Sequence, residues 1–213
     1  MDIIYTKEQI ECALIQRHTK QKQRILYRGN VAVAGLGGLG SYVAIALARM
    51  GVGNIHIIDY DIVDITNLNR QQYFLNHIGM YKTDALKQQI LNINPYINVS
   101  VDCIKVTEQN IKQLFCNNDI ICEAFDNAES KAMLVNGILE YFPEKKLIAS
   151  SGLAGYHSSN IIHTRRVSKN FYLCGDEMTE ISEQNVLTAP RAGLCACHQS
   201  NMIIRLLLGE EQA

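Results

Sequence analysis

The sequence predicts an α/β fold: a Rossmann-like, doubly wound and mostly parallel sheet, with an N-terminal helix before it and a short C-terminal extension after it. Three observations predict it. Short apolar, β-prone runs alternate with stretches of helical periodicity from residue 31 to 149. The first run feeds into Gly35-Leu36-Gly37-Gly38-Leu39-Gly40, a glycine turn that opens a helix. The second run ends on an acid, Asp59, 19 residues after Gly40. Apolar strands separated by crossover helices are buried on both faces, as parallel pairing requires.

In chain order, Ile10, Leu14, Ile25 and Leu26 are interleaved with Gln, Lys and Arg, which predicts a partly exposed N-terminal helix over 7–27. We divide the chain into this helical segment, 1–28, and the main domain, 29–213. Val31-Ala32-Val33-Ala34 is the first strand, and Val43, Ile45, Ala46 and Leu47 follow the glycines at helical density. A second strand over 54–59 completes a βαβ unit, whose crossover should be right-handed. After a polar loop over 61–72 come a helix over 82–91, a strand over 97–101, a helix over 107–115 and a strand over 119–124. A helix over 128–139 and a strand over 146–149 extend the alternation. Beyond Ser151 the sequence turns Gly-rich and polar, with short strands at 161–164 and 171–174, a loop over 177–190 and a closing helix over 194–208 that stops near Gly209.

With 213 residues the chain has room for one domain with a substantial core. Its net charge of −1 gives no overall field that would gather nucleic acid or an anionic membrane, so any anion must be held locally. The N-terminus lacks an uninterrupted apolar region, and no stretch reaches bilayer-spanning length, so a soluble cytoplasmic protein is expected, with neither membrane nor nucleic acid as partner. The seven cysteines are odd in number and form no Cys-x-x-Cys pair, which predicts reduced thiols and no zinc site.

Gly35, Gly37 and Gly40 have the dinucleotide-binding spacing, which needs a tight turn and close phosphate approach at positions where a Cβ would collide. Gly38 adds a second position for such an approach. Asp59, at the end of the second strand, is placed to accept hydrogen bonds from ribose hydroxyls. These features alone specify an adenine nucleotide and do not separate ATP from NAD.

The loop Asp59-Tyr60-Asp61-Ile62-Val63-Asp64-Ile65-Thr66-Asn67-Leu68-Asn69-Arg70-Gln71 goes further. It resembles the D-x-D-x-V-x-x-x-N-L-x-R-Q signature of the ThiF/MoeB branch of the ubiquitin-activating-enzyme-like superfamily. With the glycine turn, Lys82 and the pair Asp126-Asn127, the resemblance covers about residues 31–155. It implies a ThiF-type ATP-binding adenylyltransferase domain over 29–213, with Mg²⁺ and ATP. Joining ATP to a carboxylate brings an anion to a polyanion, so fixed cations are needed, and Arg70 and Lys82 are the candidates. Asp61, Asn67, Gln71 and Asn127 are further nucleotide-binding candidates. Asp126 can hold Mg²⁺, directly or through water, and Asp126 or Asn127 can equally cap the helix that follows. Arg17 matches by position an arginine that relatives place at the ATP phosphates of a partner subunit, which implies a homodimer; a solvated helix charge is its other reading.

The short chain, with Arg17-His18, Asn67-Leu68-Asn69-Arg70-Gln71-Gln72-Tyr73 and Gly152-Leu153-Ala154-Gly155-Tyr156, is similar to the compact subgroup of that family. That subgroup adenylylates ThiS, the ubiquitin-like sulfur carrier of thiamine thiazole synthesis, at its C-terminal Gly-Gly. Residues 150–156 are then candidates for the passage that receives the tail. The resemblance fails at two points: the paired zinc-binding Cys-x-x-Cys motifs are missing, and the position of the crossover-loop cysteine falls near Val186. Cys174 is the nearest alternative thiol. Rival readings are an adenylyltransferase for a molybdopterin-type carrier or a tRNA base, an NAD-dependent oxidoreductase on the same fold, and a non-catalytic scaffold that binds a carrier.

Overall fold

The computed structural model describes residues 5–213; the first four residues of the 1–28 segment lie outside the described residues. Among the described residues seven strands form one sheet: β1 (Asn30–Ala34), β2 (Asn54–Ile58), β3 (Asn98–Asp102), β4 (Ile120–Glu123), β5 (Lys146–Ser150), β6 (His163–Arg166) and β7 (Phe171–Gly175). Their order is β3-β2-β1-β4-β5-β7-β6, with every neighbouring pair parallel except β6 and β7. The chain winds outward from β1 through β2 to β3, then returns to build β4 on the other side of β1. That reversal opens a crevice at the carboxyl ends of β1 and β4, where open α/β sheets bind ligands.

Helices cover both faces, and strand alternation decides which face each residue serves. Val31 and Val33 point to α3 (Gly40–Arg49), α4 (Lys82–Ile93) and α7 (Ala189–Leu207), packing in one core cluster with Leu47, Leu86 and Ile203. Ala32 and Ala34 point the other way, to α5 (Ile111–Phe115) and α6 (Ala128–Tyr141), with Phe115, Leu134 and Ile138. This period of two is why the central strands read as unbroken apolar runs.

Three elements differ from expectation. The N-terminal helix is two helices, α1 (Lys7–His18) and α2 (Lys20–Arg28), separated at Thr19, whose φ of 71° a β-branched residue rarely adopts. Gln23 spans the break: its side chain bonds His18 Nδ1 at 2.7 Å and the Gly51 carbonyl at 3.3 Å. The helix expected over 107–115 is regular only across α5, because the Asn110 side chain accepts from Thr107 N at 2.8 Å and holds a turn there. The closing helix α7 begins at Ala189, with Pro190 in its first turn, where a missing N–H costs nothing. The residues after Ser151 continue the main sheet, since β7 pairs in parallel with β5 and α7 packs across α3. No helix among the described residues is long and apolar enough to cross a membrane.

Candidate nucleotide-binding cleft

A cleft of about 570 Å³ opens over the carboxyl ends of β1, β2, β4 and β5. Its floor is the glycine turn. Gly35 has a φ of +88° and donates its N–H to the Ile58 carbonyl at 2.9 Å, which bends the chain sharply off β1. Gly40 lies below the lining: a Cβ there would sit 1.8 Å from the Gly35 carbonyl oxygen, so its role is to let the helix start beneath the turn. Gly37 and Gly38 face the cleft. Asp59 is 8% exposed and accepts from Leu36 N at 2.6 Å and from Asp61 N at 2.9 Å, so it braces the turn while lining the cleft.

The loop after β2 returns as a short ribbon, with Ile62 bridged to Tyr81, and it delivers the cations. Arg70 bonds the Thr66 carbonyl through Nη1 at 3.2 Å and Asn69 Oδ1 at 2.8 Å, and its Nε is buried without a partner. Gln71 is buried, and its Oε1 likewise has no partner. Lys82 begins α4 with its side chain 7% exposed and its ammonium 2.7 Å from Asp61 Oδ2. Arg70, Gln71, Lys82 and Asp61 all line the cleft. Buried polar groups are almost always paired, so two orphans in one cleft mark a place that a polar ligand would complete.

On the far wall, Asp126 and Asn127 follow β4. Asn127 caps α6, accepting from Ser130 N at 2.8 Å, and donates weakly to Asp126 Oδ1 at 3.4 Å. The Asp126 carboxylate is otherwise exposed and available. Both readings of the pair therefore separate by residue, Asn127 as the cap and Asp126 as the free carboxylate. Among the described residues no three His, Cys, Asp or Glu side chains converge as a metal site, so a cation at Asp126 would draw its remaining oxygens from phosphates and water, the usual habit of Mg²⁺. Asn67 does not line the cleft: its Oδ1 accepts from Asp64 N at 3.0 Å and holds the 3-10 turn before Arg70. Arg17 lies exposed on α1, away from this chain's own cleft.

Two ion pairs with buried carboxylates were not legible from the sequence, and the cation of the first, Lys131, lines the cleft. Glu123, the last residue of β4, has a fully buried side chain; Lys131 Nζ lies 3.1 Å from both its oxygens and 2.8 Å from Ser150 Oγ. Glu123 also accepts from Phe125 N at 2.7 Å, which ties the segment bearing Asp126 to the end of β5. The second pair, Asp176 with Arg191, is buried behind the opposite wall. Burial alone would push the Asp176 carboxyl up, but hydrogen bonds from Met178, Thr179 and Arg191 outweigh it and hold the carboxyl below its ordinary range.

The thiol chemistry is equally definite. Cys174 is fully buried on β7, and desolvation pushes its pKa up to about 12; Cys195 and Cys122 are also buried and raised for the same reason. Such thiols stay protonated and inert at neutral pH. The exposed cysteines are Cys12, Cys103, Cys116 and Cys197, none of which lines the cleft, and Val186 stands exposed on the loop before α7.

The ThiF family model matches residues 7–213, and the chain belongs to that family. It is similar to the probable molybdopterin-synthase adenylyltransferase of Porphyra purpurea, 36% identical over 137 residues that make up 64% of this chain and 36% of that protein. It is also similar to the tRNA threonylcarbamoyladenosine dehydratase of Bacillus subtilis, 39% identical over 137 residues, 63% of this chain and 53% of that protein. The chain thus spans between about a third and a half of these relatives. Among solved structures, tRNA N6-threonylcarbamoyladenosine dehydratase of E. coli in complex with ATP superposes with a TM-score of 0.86 at 19% identity, covering 98% of each chain. At that identity the likeness is one of fold.

Proposed function

We propose that this member of the ThiF family adenylylates the C-terminal Gly-Gly carboxylate of a ubiquitin-like sulfur carrier, of the ThiS type used in thiamine thiazole synthesis, releasing pyrophosphate. The observation that carries the reading is the convergence of Arg70, Gln71, Lys82 and Asp126 on the glycine turn, with Arg70 Nε and Gln71 Oε1 buried and unpartnered beside it. An NAD-dependent oxidoreductase would not need two cations and a free carboxylate around its pyrophosphate, because hydride transfer develops no charge there.

In this reading the carrier carboxylate, already ionised, attacks the α-phosphorus of ATP and the β-phosphate leaves with its bond electrons as pyrophosphate. Gly37 and Gly38 let the backbone approach the phosphates, Asp59 takes the ribose, and Arg70 and Lys82 meet the charge that grows during attack. Lys82 is held for that task by Asp61, and Gln71 supplies a neutral contact. Asp126 fits a Mg²⁺ ion, which would neutralise phosphate charge when bound. No cysteine takes part in this step.

The acceptor end of the cleft is lined by Ser151, Gly152, Leu153, Ala154, Ile181 and Leu187, small or apolar groups suited to a chain terminus with little side-chain bulk, with Thr179 and the exposed Glu180 beside them. Arg165, on the edge strand beside the 176–188 segment, is engaged by Glu177, which leaves less free positive charge there for a nucleic-acid phosphate and favours a protein tail. We also propose a homodimer, in which Arg17 serves the neighbouring cleft. Its support is the uncovered apolar set Ile62, Phe74, Leu75 and Tyr81 on the loop that carries Arg70 and on the start of α4.

The test is ATP–pyrophosphate exchange with Gly-Gly-ended carriers, a bulk tRNA fraction and no acceptor. Exchange dependent on a carrier supports the proposal; exchange driven by tRNA alone, or tight NAD binding with no response to Mg·ATP in calorimetry, removes it.

A further inference from the structure

The two halves of the cleft are built differently. The nucleotide half rests on the sheet, through the glycine turn and the ends of β1, β2 and β4. The acceptor half is two irregular segments, 151–158 and 176–188, which hang beyond the ends of β5 and β7. Irregular backbone needs partners for its polar groups; the segments bond each other directly where Asp176 N meets the Gly152 carbonyl at 2.8 Å and Gly155 N the Val186 carbonyl at 2.9 Å, and one buried ion pair takes five more of their backbone groups.

Asp176 Oδ1 accepts from Met178 N at 2.9 Å and Thr179 N at 2.8 Å, which folds the second segment into a tight turn. Its Oδ2 accepts from Thr179 Oγ1 at 2.8 Å and from Arg191 Nη2. Arg191, from the first turn of α7, reaches the other segment: Nη1 donates to the carbonyls of His157 at 3.2 Å and Ser158 at 3.0 Å, and Nε to Leu153 at 3.4 Å. Thr179 Oγ1 closes the circuit by accepting from Ala154 N at 3.1 Å. The side chains of Asp176 and Arg191 are 0% and 5% exposed. The neighbouring backbone leaves no slack, since a Cβ on Gly152, at φ +73°, would lie 2.1 Å from Asp176 Oδ1.

We infer that Asp176 and Arg191 are a positioning pair that fixes the acceptor wall of the cleft, and with it the path of the acceptor tail, independently of the nucleotide half. The acceptor assignment rests on the adenylylation reading; the fastening of the wall does not. A guanidinium suits the role because its planar fork can serve four acceptors at once, which a lysine ammonium cannot match. Neither residue touches the reacting atoms, so the pair acts through Leu153, Ala154 and Thr179, which do line the cleft.

Two measurements on the full chain test this. Hydrogen exchange read by mass spectrometry should show faster exchange over 151–158 and 176–188 in Asp176→Asn and in the milder Arg191→Lys, with protection of 33–40 unchanged. Pyrophosphate exchange should show KM for the carrier raised at least about tenfold, while the dissociation constant for Mg·ATP stays within about twofold. If Asp176→Asn does not fold, Arg191→Lys carries the same split at smaller amplitude. Unaltered exchange over the two segments overturns the inference whether or not any carrier is a substrate. Equal weakening of carrier and ATP overturns it too, because that is the mark of general destabilisation. If the wild-type protein exchanges with no carrier but the segments loosen as stated, adenylylation of a carrier falls and the fastening role stands.

Discussion

Replacing Lys82 with Met separates a charge needed for reaction from a charge needed for folding. The aliphatic stem is retained and only the ammonium is lost. Its partner Asp61 is 48% exposed and lies 2.7 Å from Nζ, so the orphaned carboxylate can be rehydrated. Because the Lys82 side chain is buried and only its partner is solvated, the pair's attraction is offset by the ammonium's desolvation, and its loss costs about 1 kcal/mol, which in a chain of this size shifts Tm by roughly 2–4 °C. Loss of one fixed donor from developing charge costs about 3 kcal/mol in the transition state, or roughly a hundredfold in rate. Lys82→Met should therefore melt close to the wild-type temperature and exchange pyrophosphate about a hundred times more slowly, with carrier KM little changed. Exchange within about threefold of wild type, in a protein that still binds ATP, would refute the assignment of Lys82 to the reaction.

Other outcomes follow from the same geometry. Gly40→Ala places a Cβ 1.8 Å from the Gly35 oxygen, so urea unfolding should show a loss of roughly 3 kcal/mol, together with weaker ATP binding. Brief alkylation of the native protein with iodoacetamide at pH 8 should modify Cys12, Cys103, Cys116 and Cys197 and spare Cys122, Cys174 and Cys195; rapid labelling of Cys174 would reopen a covalent role for it. If Arg17 serves the neighbouring subunit, mixing inactive Arg17→Ala and Lys82→Met proteins should restore part of the exchange activity, because one composite cleft in each heterodimer is intact. A monomer in sedimentation at assay concentration would defeat that expectation.

The parts of this protein that were legible in the sequence are those governed by short-range rules. The glycine turn, Asp59 and the strand alternation are local, since each follows from φ, from period or from a fixed spacing along one crossover. Arg70, Gln71 and Lys82 stood out because they sit in one contiguous run or close to it. Glu123 and Lys131 did not, although they are only a strand end and one helical stretch apart: a Glu closing an apolar strand and a Lys on the following helix each have ordinary solvent-facing readings, and only burial between β4 and β5 makes them partners. Asp176 and Arg191 were hidden for a further reason. Pro190 read as the end of a loop, whereas it lies in the first turn of α7, and that placement turns Arg191 inward toward Asp176. Asn67 shows the converse, where a motif position expected at the nucleotide holds the turn that presents Arg70. The break at Thr19 depends on contacts of Gln23 with Gly51, which no local pattern encodes.

The central claim is transfer of AMP to a carrier carboxylate, and the most direct measurement is intact-mass spectrometry of a Gly-Gly-ended sulfur carrier incubated with the protein, Mg·ATP and inorganic pyrophosphatase. The account predicts a carrier species heavier by one adenylyl group at the C-terminal glycine, formed with the wild-type protein and with Cys174→Ser, and greatly slowed with Lys82→Met. A carrier that stays unmodified while the protein binds it and ATP together would contradict the account and leave a binding scaffold in its place.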